Sequence, residues 1–365
     1  MKTLTVTYHH TTNYGATFQM FALHKTIVKA GHENLVLETN LPSWKSGEKK
    51  GLYAFFRSVY FDICKHLRKN EMQNLISSFR QFKSDNVSFT RAYTSMQDLK
   101  NDVPQVDCLI TGSDQVWNLR TQPSMIPSRL LQFGTPELVR FSYAASIEHT
   151  NYTEEQKEMV KDALKSYKGI SLREESAREY IETITGKECL RVLDPVFLMA
   201  RNEWRTYAVE PRIKGPYILC YQVQSNRSMA RVAKHLKART GYPIVTINNV
   251  PFPWFKADKT LYDVSPQEFL GLYDHASYIV GASFHGVALG IVFGKPVYAL
   301  IKKINGNRIK EVMNMFGLSD YVVNEDDSAE LKEYTADVLE TVEEIKNHER
   351  EKSMGYLLRM LGNEN

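Results

Sequence analysis

The chain is poor in cysteine, and its cysteines are not spaced to act together. Cys64, Cys108, Cys189 and Cys220 are the four in 365 residues. No pair has CxxC spacing, so zinc and redox readings are weak. Three of the four lie in or beside apolar runs and read as small buried hydrophobes. No segment approaches the roughly 20 apolar residues needed to span a bilayer. The N-terminus runs straight into a strand pattern and lacks a signal-peptide core, so the expected location is the cytoplasm. No GxGxxG follows that strand, and the dinucleotide fingerprint is therefore absent. No short-period repeat is visible. The net charge of +4 suits anionic small ligands or a membrane surface but is no nucleic-acid footprint. The apolar share of 43% and charged share of 24% are those of a soluble globular protein. The length allows two domains.

What is present is an alternation of strands and helices. A strand over 4–8, a polar turn over 9–15, a helix from Ala16 closed by Gly31, and a strand over 35–37 make a β-turn-α-β start. The turn Asn13-Tyr14-Gly15 sits where a polar ligand can be held, or is simply a tight turn that needs glycine. Residues 44–100 read as an insertion. Its aromatic, basic stretch 51–69 reads as an ordinary core-packing helix or as one lying in a membrane interface, which would give peripheral membrane contact. Further strands are expected over 106–111, 139–144, 169–172 and 190–193, with a helix over 153–167 capped by Thr153. Parallel sheets bind ligands outside the carboxyl ends of their strands. Asn13, Asp114, Gln115, Ser146, Arg173 and Asp194 fall at those ends and predict one polar rim. Singly, each is an ordinary cap or loop residue. His9 and His10, adjacent on a strand, would point to opposite faces, so no metal site is expected.

Residues 200–215 read as a polar linker. A second α/β unit follows: strands over 217–222 and 244–247, a helix over 228–240, and a helix opened by Ser265-Pro266-Gln267-Glu268 in good capping order. An apolar strand over 278–282 then ends at Ser283-Phe284-His285-Gly286, and a small-residue helix over 287–293 follows. Ser283 is a plausible N-cap. His285 stands where free amides and the helix dipole favour an anion, either as a working group or as a mere cap. After a strand over 297–301, residues 305–308 read as a loop, and 336–361 as a long helix. The expected fold is α/β: two Rossmann-like domains facing across a cleft, GT-B-like, with the terminal helix crossing back. The expected domains are 1–199, 216–340 and the helix 341–365.

These residues together resemble the polysaccharide pyruvyltransferase family. The likeness rests on Asn13-Tyr14-Gly15, Gly112-Ser113-Asp114-Gln115-Val116-Trp117-Asn118, Ser142-Tyr143-Ala144-Ala145-Ser146, Ser171-Leu172-Arg173-Glu174, Val192-Leu193-Asp194-Pro195, Ser265 to Leu270, and Ser283-Phe284-His285-Gly286. Each element is short; their order and spacing are specific. The resemblance implies transfer of the enolpyruvyl unit of phosphoenolpyruvate, as co-substrate without a cofactor, to a hexose. The hexose belongs to a surface polysaccharide or its lipid-linked precursor, and a ketal forms. The family pattern has an arginine where this chain has Ser283. The donor's charge must then meet another cation: Arg173, which matches a family arginine, or Arg308.

On this reading His285 is the general acid, and Ser283, Phe284, Gly286 and Arg308 of the second domain, the donor side, hold the donor together with Arg173 of the first. Asp114 is a base for the acceptor hydroxyl or the cap of a following helix. Asn13, Tyr14, Gly15, Gln115, Trp117 and Ser146 belong to the acceptor side, where Trp117 either stacks on a sugar or fills the core. The alternatives are a GT-B glycosyltransferase using a nucleotide sugar and a non-catalytic glycan-binding protein. Against the first, residues 286–294 contain no acid to grip a ribose.

Overall fold

A computed structural model describes residues 1–10, 12–39, 60, 63–120, 123–147, 149–248, 250, 253, 255–302, 306–325 and 330–363. The chain forms two compact units, one of Met1–Lys45, Lys83–Met199 and Asn347–Asn365, the other of Ser46–Phe82 and Ala200–Lys346. Most of the aromatic, basic stretch before Tyr60 lies outside the described residues. No described helix is long and apolar enough to cross a membrane.

In the first unit, β1 (Lys2–Val6), β2 (Glu33–Thr39), β3 (Phe89–Tyr93), β4 (Cys108–Thr111) and β5 (Val139–Ser142) form a parallel sheet in the order β3-β2-β1-β4-β5. The short pair β6 (Ser171–Leu172) and β7 (Leu190–Arg191) continues it through a bridge from Phe141 to Gly169. A strand covered on both faces needs apolar residues throughout, and Cys108 to Thr111 is buried at every position. The buried threonines of β1 are satisfied locally. Thr3 and Thr5 hydroxyls donate to Asn34 Oδ1 at 2.7 and 2.9 Å. That fixes the amide, so Asn34 Nδ2 donates to His24 Nδ1 at 3.0 Å. His24 is thus an acceptor and neutral. Burial, with Lys25 second, lowers its pKa to about 4.

The helices with both ends described before residue 200 include α1 (Tyr14–Lys29), α2 (Lys69–Asn86, which lies in the second unit up to Phe82), α3 (Met96–Asn101), α4 (Ile126–Arg129), α5 (Glu154–Leu164) and α6 (Glu175–Thr185). The expected caps of two hold. Thr153 makes a full capping box with Gln156, and Gly31 follows α1 at φ +88°. Strand β1 begins and ends two residues earlier than its pattern suggests, which leaves Thr7 to His10 outside the sheet.

In the second unit, β8 (Ile218–Tyr221), β9 (Ile244–Ile247), β10 (Lys259–Leu261), β11 (Tyr278–Gly281), β12 (Val297–Ile301) and β13 (Val322–Asn324) form a parallel sheet in the order β10-β9-β8-β11-β12-β13. Its helices are α7 (Arg201–Arg205), α8 (Ser228–Thr240), α9 (Pro266–His275), α10 (Phe284–Val292) and α11 (Asn307–Met315). Helix α10 is apolar on all sides and correspondingly buried. A Cβ on its Gly290 would lie 2.5 Å from Val297 Cγ2, so glycine lets the helix press onto β12.

The segment 200–215 is not a free linker. Helix α7 buries Trp204, and Arg201 and Arg205 both pair with Asp274 of α9. Arg212 grips Glu268 through Nε and Nη2, each at 2.6 Å. The N3 glutamate of the expected capping sequence therefore serves this fork instead of closing a capping box, while Ser265 still caps α9. The last helix, α12 (Ala336–Met360), starts in the second unit and ends in the first. Lys346 Nζ donates to Val292 O at 3.3 Å within the second. Within the first, Tyr356 Oη donates to Ser142 O at 2.9 Å, and Ser353 Oγ accepts from Leu193 N at 2.9 Å.

Candidate functional site

Each sheet reverses its strand order once, between β1 and β4 in the first unit and between β8 and β11 in the second. The carboxyl edge at such a reversal is where open α/β sheets hold ligands. Both reversals carry the polar residues singled out in the sequence. A wide concavity of about 1150 Å³ opens elsewhere, against Lys2, Asp107 and Leu138 at the amino ends of the first sheet's strands. It lies on the opposite edge from those motifs.

In the second unit, the chain leaves β11 and turns at once into α10. Ser283 caps the helix, its Oγ accepting from Gly286 N at 3.1 Å. His285 follows in the first turn, half-buried, with its ring edge-on to Phe284 at 5.1 Å. Position 286 has no room for a side chain: a Cβ would stand 2.8 Å from Ser283 Oγ and 2.9 Å from Tyr221 Cδ1. The hydroxyl of Tyr273, 3.3 Å from the same point, is buried and has no hydrogen-bond partner among the described residues. Tyr221 and Tyr273 were not singled out in the sequence, because nothing local marks an aromatic residue on another element as lying under this turn. Arg308 sits in the first turn of α11, not in a loop, on the connection that follows the neighbouring β12.

In the first unit, Asn13 caps α1, accepting from Ala16 N at 3.2 Å, and Tyr14 and Gly15 are buried behind it. Asp114 adopts φ +72°, a left-handed conformation that aspartate tolerates, and its Oδ1 accepts from Gln115 N at 2.9 Å. No helix follows it; residues 115–120 form turns and bends, so the expected helix cap is corrected to a local turn. Asn13, Asp114 and Gln115 remain half-buried at the edge.

The other rim residues have gone inside. Trp117 is fully buried, its Nε1 donating to Arg129 O at 3.2 Å and its ring against Tyr167. It has no exposed face for a sugar. Ser146 is also fully buried and donates to Glu174 Oε1 at 3.0 Å. Arg173, expected to hold the donor, is 4% exposed. Its Nε donates to Glu174 Oε1 at 2.7 Å, its Nη1 to Asp194 Oδ2 at 2.8 Å and its Nη2 to Ser146 Oγ at 3.1 Å. Ser113 Oγ completes the cluster by donating to Asp194 Oδ2 at 3.0 Å. Burial alone would lower the arginine's pKa, but Glu174, Asp194 and Asp114 raise it, so the charge is fixed. One guanidinium faces two carboxylates, and a third anion would meet net repulsion. Arg173 is therefore a clamp between the ends of successive strands and is not placed to receive a phosphate. Four motifs of the sequence meet in this one cluster.

The profile of the polysaccharide pyruvyl transferase family matches residues 13–301. The chain belongs to that family. The matched span takes in the strand-order reversal of the second sheet, begins after β1 of the first, and includes every candidate residue above except Arg308. No curated protein matches the chain in sequence. Among solved structures, a glycosyltransferase from Rickettsia africae ESF-5 superposes with a TM-score of 0.58 at 9% identity, covering 100% of this chain and 99% of that one. A UDP-GlcNAc 2-epimerase from Neisseria meningitidis, bound to UDP-GlcNAc, gives 0.53 at 12% identity over 100% of both chains. At such identities the likeness concerns the fold, which is GT-B-like. For this family member, the polysaccharide pyruvyl transferase motifs thus divide into a buried framework and a smaller set left at the strand ends.

Proposed function

We propose that this protein transfers the enolpyruvyl group of phosphoenolpyruvate to a hexose of a surface polysaccharide or its lipid-linked precursor, forming a pyruvate ketal. The observation that supports this most is the position of His285. A family motif sets it in the first turn of α10, at the strand-order reversal of the second sheet. Helix N-termini favour anions, and the donor is an anion at both its phosphate and its carboxylate.

His285 acts as the general acid. It protonates the methylene carbon of the donor, and C2 becomes oxocarbenium-like. A sugar hydroxyl adds to C2, the C2–O bond to phosphate breaks, and a second hydroxyl closes the ketal. Of the two hydroxyl protons, one ends on the new methyl group and the other leaves with phosphate. With Arg173 committed to carboxylates, Arg308 on the adjacent connection is the cation assigned to the donor. Asn13, Asp114 and Gln115 of the first unit offer polar groups to an acceptor, with Asp114 as the base.

The test is phosphate release from phosphoenolpyruvate with a galactose- or mannose-terminated acceptor. His285→Ala should lower kcat by about 10²–10⁴-fold, the usual contribution of general acid catalysis. Arg308→Ala should mainly raise KM for the donor. Undiminished release by His285→Ala would sink the assignment. Thermal stabilisation by UDP- or GDP-sugars, without stabilisation by phosphoenolpyruvate, would favour a nucleotide-sugar transferase instead.

A further inference from the structure

The histidines at the end of β1 do not follow strand alternation, because the strand stops at Val6. His9 and His10 turn toward each other, their ring centroids 3.9 Å apart. Glu38, near the end of the neighbouring β2, joins them, its Oε1 3.2 Å from His10 Nδ1 and its Oε2 3.9 Å from His9 Nδ1. One ligand atom from each of the three residues lies within 4.8 Å of the other two. In a tetrahedral zinc site, bonds of about 2.1 Å place ligand atoms roughly 3.4 Å apart. A small closure would bring this triad to that spacing.

The protonation pattern is fixed on one side. His9 Nε2 lies 3.0 Å from Leu37 O, which can only accept, so Nε2 carries the proton. Nδ1 then presents a lone pair, and it is buried with no hydrogen-bond partner among the described residues. The whole residue is 1% exposed. A metal-bound imidazole commonly donates its other N–H to a carbonyl in just this way. His10 has a comparable support, its Nε2 lying 2.9 Å from Thr39 Oγ1. Phe89 packs 5.1 Å from the His9 ring and shields one side. The opposing charge is Lys83, whose Nζ donates to His9 O at 3.0 Å.

We propose that His9, His10 and Glu38 form a binding site for a divalent transition-metal ion, with zinc the best match to two imidazoles and one carboxylate. Three protein ligands leave a fourth position open. The site lies on the carboxyl edge of the first sheet, the edge that also carries Asn13 and Asp114. Bound there, the ion would pin the connection from β1 to α1 against β2.

The experiment uses the untagged full chain, stripped by chelator and titrated with zinc chloride by calorimetry, with magnesium chloride as contrast. One zinc per chain and no magnesium uptake are expected. Cobalt in place of zinc should give the visible absorption of a tetrahedral or five-coordinate site. Glu38→Gln keeps an acceptor for His10 at a half-exposed position and should fold; it and His10→Ala should each weaken zinc at least about tenfold, at the lower end of what even supporting residues cost. Lys83→Met should tighten it. No zinc retained by the wild-type chain would overturn the proposal. So would equal retention by the His10→Ala/Glu38→Gln double variant.

Discussion

Replacing Arg173 with methionine separates a framework role from a substrate-binding role. The side chain makes three charge-assisted bonds of 2.7, 2.8 and 3.1 Å, all buried. Methionine preserves much of the volume but leaves Glu174 and Asp194 facing each other without a cation. Breaking a buried pair by removing one partner typically costs about 3–5 kcal/mol, because a buried charge is left uncompensated. At roughly 2–4 °C per kcal/mol for a unit of this size, the melting temperature should fall by about 6–20 °C. Arg173→Lys keeps the charge but cannot supply the planar fork, and should lose about half as much. Removing a carboxylate along with the arginine should recover part of the loss, so Arg173→Met/Asp194→Asn should be more stable than the sum of its single variants. Calorimetric melting of the wild type, the two Arg173 variants, Asp194→Asn and the double variant measures this. If Arg173→Met melts with the wild type and only KM for the donor rises, the clamp reading is wrong and the arginine belongs to the donor.

Three further outcomes follow from particular contacts. His24 is held neutral, its pKa lowered from 6.5 to about 4. Because the unfolded chain takes up this proton first, its contribution of about 3 kcal/mol is intact above pH 6.5 and lost as pH falls toward 4. His24→Gln should therefore show a flatter loss of stability over that window in urea melts at stepped pH. Gly290→Ala should cost about 1–3 kcal/mol by overpacking, since its Cβ would stand 2.5 Å from Val297 Cγ2; denaturant unfolding reads this directly. Ser283→Ala should cost about 1 kcal/mol through loss of the cap, and should lower turnover further only if the start of α10 positions His285; melting and phosphate release together separate the two effects.

The sequence carries the alternation of elements because periodicity and capping are local. The helix Ser228–Thr240 and the strands Ile244–Ile247 and Val297–Ile301 stand at their expected bounds, and Ser265, Thr153 and Ser283 cap where their positions suggested. What pattern does not carry is which polar residue is turned inward. Asp194, Arg173 and Ser146 look like rim residues because each ends an apolar run. They are buried because strands β4 to β7 bring their ends close enough for one guanidinium to join them. Glu268 looks like half of a capping box until Arg212, 56 residues away, claims it. Trp204 sits in a run too polar to read as a helix, yet one buried indole and two arginines on Asp274 order it. His9 and His10 turn on a strand boundary two residues from its expected place, and two residues separate the sheet from a loop free to turn both rings to Glu38.

The long terminal helix also bears on how the protein is made. Tyr356, Leu357 and Leu361 share a buried cluster with Leu23, Ile27, Phe141 and Tyr143 of the first unit. Synthesis delivers N-terminal segments first, and domains generally fold in that order. Here the ribosome must finish the whole second unit before the residues that close the first unit's core emerge. Until then an apolar groove at α1 and β5 stands uncovered, and the nascent chain carries it through most of translation.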